Sequence, residues 1–180
     1  VYQLSVIAGA PESSIFVNGI QCKGAVSIYH VKNNCITIVN ELSIEDYLKC
    51  TLAANEGQEM INLPREAAAA LTIAARTEVY RIALEGKKHS YPWDITAREA
   101  NYYGVGITQR GNATEEAVNW TRYMVLESSK GTGPLESVKV IPAKATELAN
   151  KGLDAQKILK TLYPQTRIGA TINAEQVSIR

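Results

Sequence analysis

The 22-residue stretch from Pro64 to Glu85 constrains the fold more than any other part of the sequence. It contains the run Ala67–Ala70, proline suits the first position of a helix, and Gly86 suits the position just after the end of one. We therefore predict one long helix over residues 64–85. Because alanine side chains let another backbone approach closely, we expect this helix at the centre of the domain.

A helical wheel of this segment places one charged residue on the side that faces the core. At about 100° per residue, one side carries the charged residues Glu78, Arg81 and Glu85 and is expected to face solvent. Arg76 falls nearly opposite, on the stripe that also holds Ala69, Ile73, Tyr80 and Ala83. A guanidinium that faces the core keeps its charge, so it needs a carboxylate, several carbonyl groups or an open cleft.

Two interpretations of Arg76 follow from this position. It forms a structural ion pair, with Glu45 or Glu56, or it orients a catalytic carboxylate or binds an acid group of a substrate. Glu56 and Glu59 lie just upstream, in the glycine-containing stretch 55–62, which we predict to be a loop. A loop carboxylate in a partly dry cleft can have a raised pKa and act as a general acid.

The remaining pattern predicts an α+β fold with a strand-rich N-terminal portion packed on a central helical core. Predicted strands cover 1–8, 15–17, 26–31 and 35–39, with a hairpin turn at Lys32-Asn33-Asn34. Ser43, with an acidic residue three positions later, predicts the start of a helix that runs to about Ala54. Further helices are predicted over 114–120, 143–151 and 154–162, a short strand over 123–127, and strands within 166–180. We expect a single domain over 1–180, divided into a β-rich portion (1–42), a helical centre (43–127) and C-terminal helices and strands (135–180).

Charge and cysteine content exclude several classes of function. The net charge is +1, so composition supplies no electrostatic case for binding nucleic acid or anionic membranes. No apolar run is long enough to cross a bilayer. The three cysteines lack metal-binding or redox spacing; Cys22 and Cys35 either form a disulfide or, with Cys50, are buried thiols.

A series of short motifs follows one another in a defined order. After Val39–Lys49 come Glu59-Met60, Leu63-Pro64, Glu66-Ala67, Ala74-Ala75-Arg76-Thr77, Asn101-Tyr102-Tyr103-Gly104 and Ala117–Arg122. From about Val26 to Ile168 this order resembles the stage II sporulation protein D (SpoIID) family, which includes the amidase-enhancer proteins. The resemblance implies a bacterial peptidoglycan lytic transglycosylase.

Such an enzyme cleaves the β-1,4 bond between N-acetylmuramic acid and N-acetylglucosamine without water and leaves a 1,6-anhydro end. One carboxyl group acts as acid and then as base. The family's Glu-Met pair corresponds to Glu59, whereas the distance from Tyr47 favours Glu56, so both stay candidates. Arg76 corresponds to the family's arginine, and the family's next motif implies that Asn101, Tyr102 and Tyr103 bind substrate.

The resemblance also implies partners and a location. The substrate is peptidoglycan glycan strands with their stem peptides removed, and an amidase or another cell-wall hydrolase is a further partner, in sporulation-like remodelling or cell division. The expected site of action is extracytoplasmic, in the periplasm or cell envelope, with an anchoring segment outside this chain as one arrangement. No cofactor is expected. No zinc is expected either, because His89 has no cysteine after Cys50 to join it.

The sequence also supports a second function. The alternative function is a non-catalytic glycan-binding or amidase-activating module, in which Tyr102, Tyr103 and Trp93 stack on sugar faces. Trp120, in contrast, is expected to pack in the core. The stretch after Glu127 is shorter than in the family, so either the cleft is smaller or the chain lacks that part.

Overall fold

The computed structural model describes residues 3–10, 13–31, 35–88, 90–105, 113–129, 137–171 and 178–180, and at residue 31 and over residues 53–61 it describes the backbone alone. In the described part, the N-terminal portion consists of β1 (Gln3–Ile7), β2 (Ile15–Val17), β3 (Ile20–Cys22), β4 (Ala25–Val31) and β5 (Cys35–Ser43). Then come α1 (Ile44–Ile61), α2 (Arg65–Gly86), α3 (Ala97–Ala100), α4 (Ala113–Trp120), β6 (Met124–Ser128), α5 (Pro142–Asn150), α6 (Ala155–Leu162), β7 (Thr166–Ala170) and β8 (Ser178–Ile179). This order confirms the predicted α+β fold.

All strand pairs are antiparallel. The main sheet has the order β1-β4-β5-β8, and β2-β3 and β6-β7 form two separate ribbons. The predicted pairing of β4 with β5 is confirmed, with Val31 opposite Cys35, although the turn at 32–34 lies outside the described residues. The β2-β3 hairpin was not predicted, yet Asn18-Gly19 signals it, because both residues have the positive φ that a two-residue hairpin turn needs.

Helix α1 begins as predicted but continues further. The backbone N–H of Asp46 donates to Ser43 Oγ over 3.1 Å, which confirms the predicted N-cap. The predicted loop at 55–62 is wrong, because α1 continues to Ile61. A glycine inside a helix costs only about 1 kcal/mol, so Gly57 does not end a helix that is packed against its neighbours.

Helix α2 is the centre of the molecule, as predicted. Its alanines Ala67–Ala70 are buried in a core cluster with residues of α4, β6, α5 and α6. Further along, Val79 belongs to a second cluster with residues of β5, α1, α4 and β8. Gly86 is the last helical residue, so α2 ends one position later than predicted, and a β-carbon at Gly86 would overlap Asp94 Oδ1.

The C-terminal helices pack on the first half of α2. Asp154 caps α6 as predicted, since its Oδ1 accepts a hydrogen bond from Lys157 N over 2.8 Å. Glu66 of α2 accepts a hydrogen bond from Ala155 N, also over 2.8 Å, and so links the start of α2 to the start of α6. Among the described residues, no helix combines the length and the apolar character needed to cross a membrane.

Of the two predicted arrangements of the cysteines, a disulfide or buried thiols, the structure has buried thiols at two positions. Cys22 and Cys50 are buried thiols, and burial raises the pKa of Cys50 to about 12. Cys35, at the start of β5, is exposed rather than buried. The structure forms no disulfide between Cys22 and Cys35.

Candidate active site

Arg76 lies in the middle of α2 with its side chain fully buried, as the helical wheel predicts. Its Nε donates to Glu45 Oε1 over 2.8 Å, and its Nη2 donates to Glu45 Oε2 over 2.9 Å. Two parallel hydrogen bonds of this kind are the strongest geometry for a guanidinium and a carboxylate. Of the two predicted partners, the structure therefore pairs Arg76 with Glu45, in the first turn of α1.

The other donors of Arg76 are also satisfied. Nη2 donates to the carbonyl oxygen of Val118 over 3.1 Å, and Nη1 donates to Thr121 Oγ1 and to the carbonyl oxygen of Met124, each over 3.2 Å. Each of the five N–H groups of the guanidinium has an acceptor. Arg76 thus holds α1, α2, α4 and β6 together, and no part of it is open to a substrate.

Glu56 and Glu59 lie in the last turns of α1 rather than in a loop. Their side chains are outside the described residues, so the backbone alone defines their positions. At about 100° and 1.5 Å per residue, both lie within about 40° of Glu45 around the helix axis, about 16 and 21 Å further along it. Helical geometry therefore puts both candidates on the side of α1 that carries the ion pair with α2.

A groove opens beside the end of α1. It has a volume of about 680 Å³. It is lined by Leu63, Arg65, Ala68, Ala113, Glu116, Ala117, Asn119 and Trp120. Leu63 follows Glu59 by four residues, so the backbone that carries the candidate acid leads directly to this groove.

Trp120 is the functional candidate that the sequence analysis missed. It was expected in the core, but 43% of its surface is exposed. The buried residues of α4 and the turn after it are Thr114, Ala117, Val118 and Thr121, a spacing that fits one helix face. Trp120 lies off that face, so the periodicity of α4 is the signal that could have identified it.

The predicted substrate-binding residues 101–103 lie at a different cavity. Tyr102 stacks on Tyr47 with ring centroids 6.3 Å apart, and its hydroxyl donates to Asn40 Oδ1 over 2.7 Å. Burial raises the pKa of Tyr102. Asn101 ends α3 in a left-handed conformation, with φ of 50°, and Tyr103 is 59% exposed. The role of these three residues in substrate binding stays a prediction.

The cavity beside Tyr102 has a volume of about 480 Å³ and lies between the main sheet and residues 93–102. It shares no lining residue with the groove at the end of α1. Its lining is mostly apolar side chains, together with Trp93, which stacks on Tyr91. Polar surface is a smaller share of this lining than of the lining of the groove beside α1, so the groove suits a sugar better.

Metal ligands are a separate question. In the part of the chain that the structure describes, no three His, Cys, Asp or Glu side chains are grouped closely enough to hold a metal ion. His89, the residue considered for zinc, lies outside the described residues.

Comparison with known proteins gives one family. A sequence model of the SpoIID family, described as stage II sporulation protein, matches residues 32–127, which is just over half of the chain. The matched range begins three residues before β5 and ends within β6, and it includes Glu45, Glu56, Glu59, Arg76 and Trp120. No solved structure matches.

Three relatives have no described function. A protein of Chlamydia muridarum (strain MoPn / Nigg) is 39% identical over 151 residues, covering 84% of this chain and 51% of the relative. One of Chlamydia pneumoniae is 34% identical over 151 residues, covering 84% of this chain and 54% of the relative. A third, from Brachyspira hyodysenteriae (strain ATCC 49526 / WA1), is 33% identical and covers 61% of this chain and 28% of the relative. The chain spans about half the length of the two chlamydial relatives, and all three relatives are described as uncharacterized.

Proposed function

Because the chain belongs to the stage II sporulation protein D (SpoIID) family, we propose that it is a peptidoglycan lytic transglycosylase. The bond cut is the β-1,4 linkage between N-acetylmuramic acid and N-acetylglucosamine in the glycan strand. The observation that carries the proposal is the family match over residues 32–127, which includes both candidate glutamates and Arg76.

One carboxyl group is sufficient for this reaction, because the nucleophile belongs to the substrate. The carboxylic acid donates its proton to the glycosidic oxygen, and the bond from that oxygen to the anomeric carbon breaks with the electron pair on oxygen. The carboxylate then accepts the proton of the muramic 6-hydroxyl as that oxygen bonds to the anomeric carbon. The acid is restored and no water is consumed, whereas glycoside hydrolases need a second carboxyl group.

The fold supports this role through the position of α1. An acid that gives and then recovers a proton must be held close to one geometry, and a helix holds it better than a loop. The pair between Glu45 and Arg76 ties the first turn of α1 to the central helix. Arg76 is thus a positioning residue, which acts on the candidate acid through the helix that carries it.

Glu59 is the first choice for the acid and Glu56 the second. Glu59 belongs to the Glu-Met pair and precedes Leu63, at the edge of the groove, by four residues. Glu56 lies about one helical turn earlier on the same side of α1.

The proposal extends to substrate, partner and location. The substrate is glycan strands whose stem peptides have been removed, which makes an amidase the reaction partner that supplies them. The protein then acts outside the cytoplasm, in the periplasm or cell envelope, where peptidoglycan lies.

The test uses purified glycan strands and mass spectrometry of the released saccharides. Glu59→Gln should abolish 1,6-anhydro products while the protein stays folded, and Glu56→Gln should keep most of the activity. Glu147→Gln is the matched control, since Glu147 is an exposed residue of α5 outside the groove. Full activity in both Glu59→Gln and Glu56→Gln would exclude the mechanism. Glycan binding without any product in the unaltered chain would favour the glycan-binding or amidase-activating module instead.

A further inference from the structure

The groove beside the end of α1 has the size of a small-molecule site. Its volume of about 680 Å³ falls within the range of about 300–1,000 Å³ that is usual for ligand pockets. Its wall comes from the start of α2 and from the side of α4 that carries Ala113, Glu116, Ala117 and Trp120. The groove therefore lies between two helices whose positions are fixed by the core beneath them.

An aromatic side chain in this groove is open to solvent. Trp120 is 43% exposed, although tryptophan is mostly buried in folded proteins. The guanidinium carbon of Arg65 lies over this ring, 3.8 Å from its centroid, so the cation packs on one face of the indole and holds it in place. Among the described residues, no carboxylate forms an ion pair with Arg65, which leaves its N–H groups for a ligand.

The polar side chains around Trp120 suit a sugar. A pyranose ring has a C–H face, which stacks on the electron-rich face of an aromatic ring, and hydroxyl groups around its edge. Asn119 supplies an amide donor and acceptor, Glu116 an acceptor and Arg65 donors, and all three line the groove with Trp120. The hydroxyl and N-acetyl groups of such a sugar need both hydrogen-bond donors and hydrogen-bond acceptors.

We propose that this groove is a saccharide subsite, in which one N-acetylated pyranose of the glycan strand stacks on the face of Trp120 that Arg65 leaves open and hydrogen-bonds to Asn119. The inference rests on the proposed function, because it treats the groove as the part of the glycan cleft next to the acid on α1. Trp120 is then a residue that positions the strand and contributes binding energy without taking part in proton transfer.

The test measures binding separately from catalysis, with tetra-N-acetylchitotetraose as the probe. The chain has two tryptophans, so in a Trp93→Phe background Trp120 is the sole indole reporter. Titration with the tetrasaccharide should shift its emission to shorter wavelength, because a stacked sugar removes water from the ring. By calorimetry, Trp120→Ala should weaken binding about tenfold or more, and Trp120→Phe should restore part of it.

The outcomes separate this subsite from the proposed reaction. Unchanged affinity in Trp120→Ala, or no binding by an unaltered chain that still cuts glycan, would overturn the subsite and leave the lytic activity standing. Binding that depends on Trp120 but yields no product from glycan would support the subsite and count against the reaction. Loss of binding in Trp120→Ala supports the subsite if the thermal midpoint of this variant matches that of Trp120→Phe, which shows that the variant is folded. Weaker binding by a folded Asn119→Ala variant would support the subsite independently.

Discussion

Glu45 and Arg76 form a two-pronged ion pair between the first turn of α1 and the middle of α2, with N–O distances of 2.8 and 2.9 Å. The Arg76 side chain is fully buried, and that of Glu45 is 15% exposed. Because the remaining donors bind acceptors in α4, the turn after it and β6, one guanidinium joins four parts of the molecule. The stability of the folded protein should therefore depend strongly on the pair of Glu45 and Arg76.

Removal of one partner should leave a buried charge without compensation. We expect Glu45→Ala to lower the free energy of unfolding by about 3–5 kcal/mol, measured by urea denaturation. Glu85→Ala is the control, because it removes an exposed partner of Arg81 and should cost about 1 kcal/mol or less. A loss in Glu45→Ala no larger than in the control would show that the buried pair contributes little.

Glu78 should make part of the stability depend on acid pH. The hydrogen bond from Arg81, followed by one from Val138 N, holds the pKa of the Glu78 carboxyl below its ordinary value of 4.5. The folded state then binds fewer protons than the unfolded state, so this stabilisation is present above pH 4.5 and is lost as the pH falls through the folded pKa. Urea denaturation of the wild type and Glu78→Gln should show a difference at neutral pH that shrinks in acid.

A variant of Arg81 tests the cause of the lowered pKa of Glu78 in the same urea denaturation experiment. Arg81→Met removes the largest cause of the lowered pKa of Glu78, so it should remove most of the same acid dependence. A wild type and a Glu78→Gln variant that lose stability in parallel over the whole acid range would contradict this assignment.

Gly104 should tolerate substitution less well than a glycine with the same backbone conformation. Gly104 and Gly152 have φ of 82° and 83°, so alanine at either position costs about 1–2 kcal/mol in backbone strain. A β-carbon at Gly104 would also lie 2.5 Å from the carbonyl oxygen of Gln21, whereas a β-carbon at Gly152 would have no described atom within 4 Å. Gly104→Ala should therefore destabilise the protein by about 1–3 kcal/mol more than Gly152→Ala in urea denaturation. Equal losses would mean that β3 moves away without penalty.

Variants of Tyr102 and Tyr103 should show which of the two residues has a structural role and which binds substrate. Tyr102→Phe removes the hydrogen bond to Asn40 and should cost about 1 kcal/mol of unfolding free energy. Tyr103 is exposed, so Tyr103→Ala should change stability by less than about 0.5 kcal/mol. If Tyr103 binds glycan, its variant should raise KM for glycan strands; an unchanged kcat/KM would remove it from the predicted site.

The local pattern of the sequence was enough to predict several features of the fold. The 3.6-residue period of α2 correctly predicted that Arg76 faces the core, because the direction of a side chain on a helix depends on its position along that helix. The caps at Ser43 and Asp154 were also predictable, since each satisfies N–H groups within three residues. The motifs of the family, likewise local, identified α1 and α2 as the segments that carry the candidate site.

The contacts between distant segments were decided by tertiary structure. Glu45 and Glu56 occupy the same side of α1, so sequence spacing could not tell which of them meets Arg76 across 31 residues of chain. Helix α1 continues through Gly57, because packing on α2 and α4 outweighs the low helix propensity of one glycine. Trp120 is 43% exposed because α4 packs on α1 and α2 through another face, which carries Ala117 and Val118. Local sequence sets which way each residue points along its own helix, but the partner it meets depends on how the helices pack.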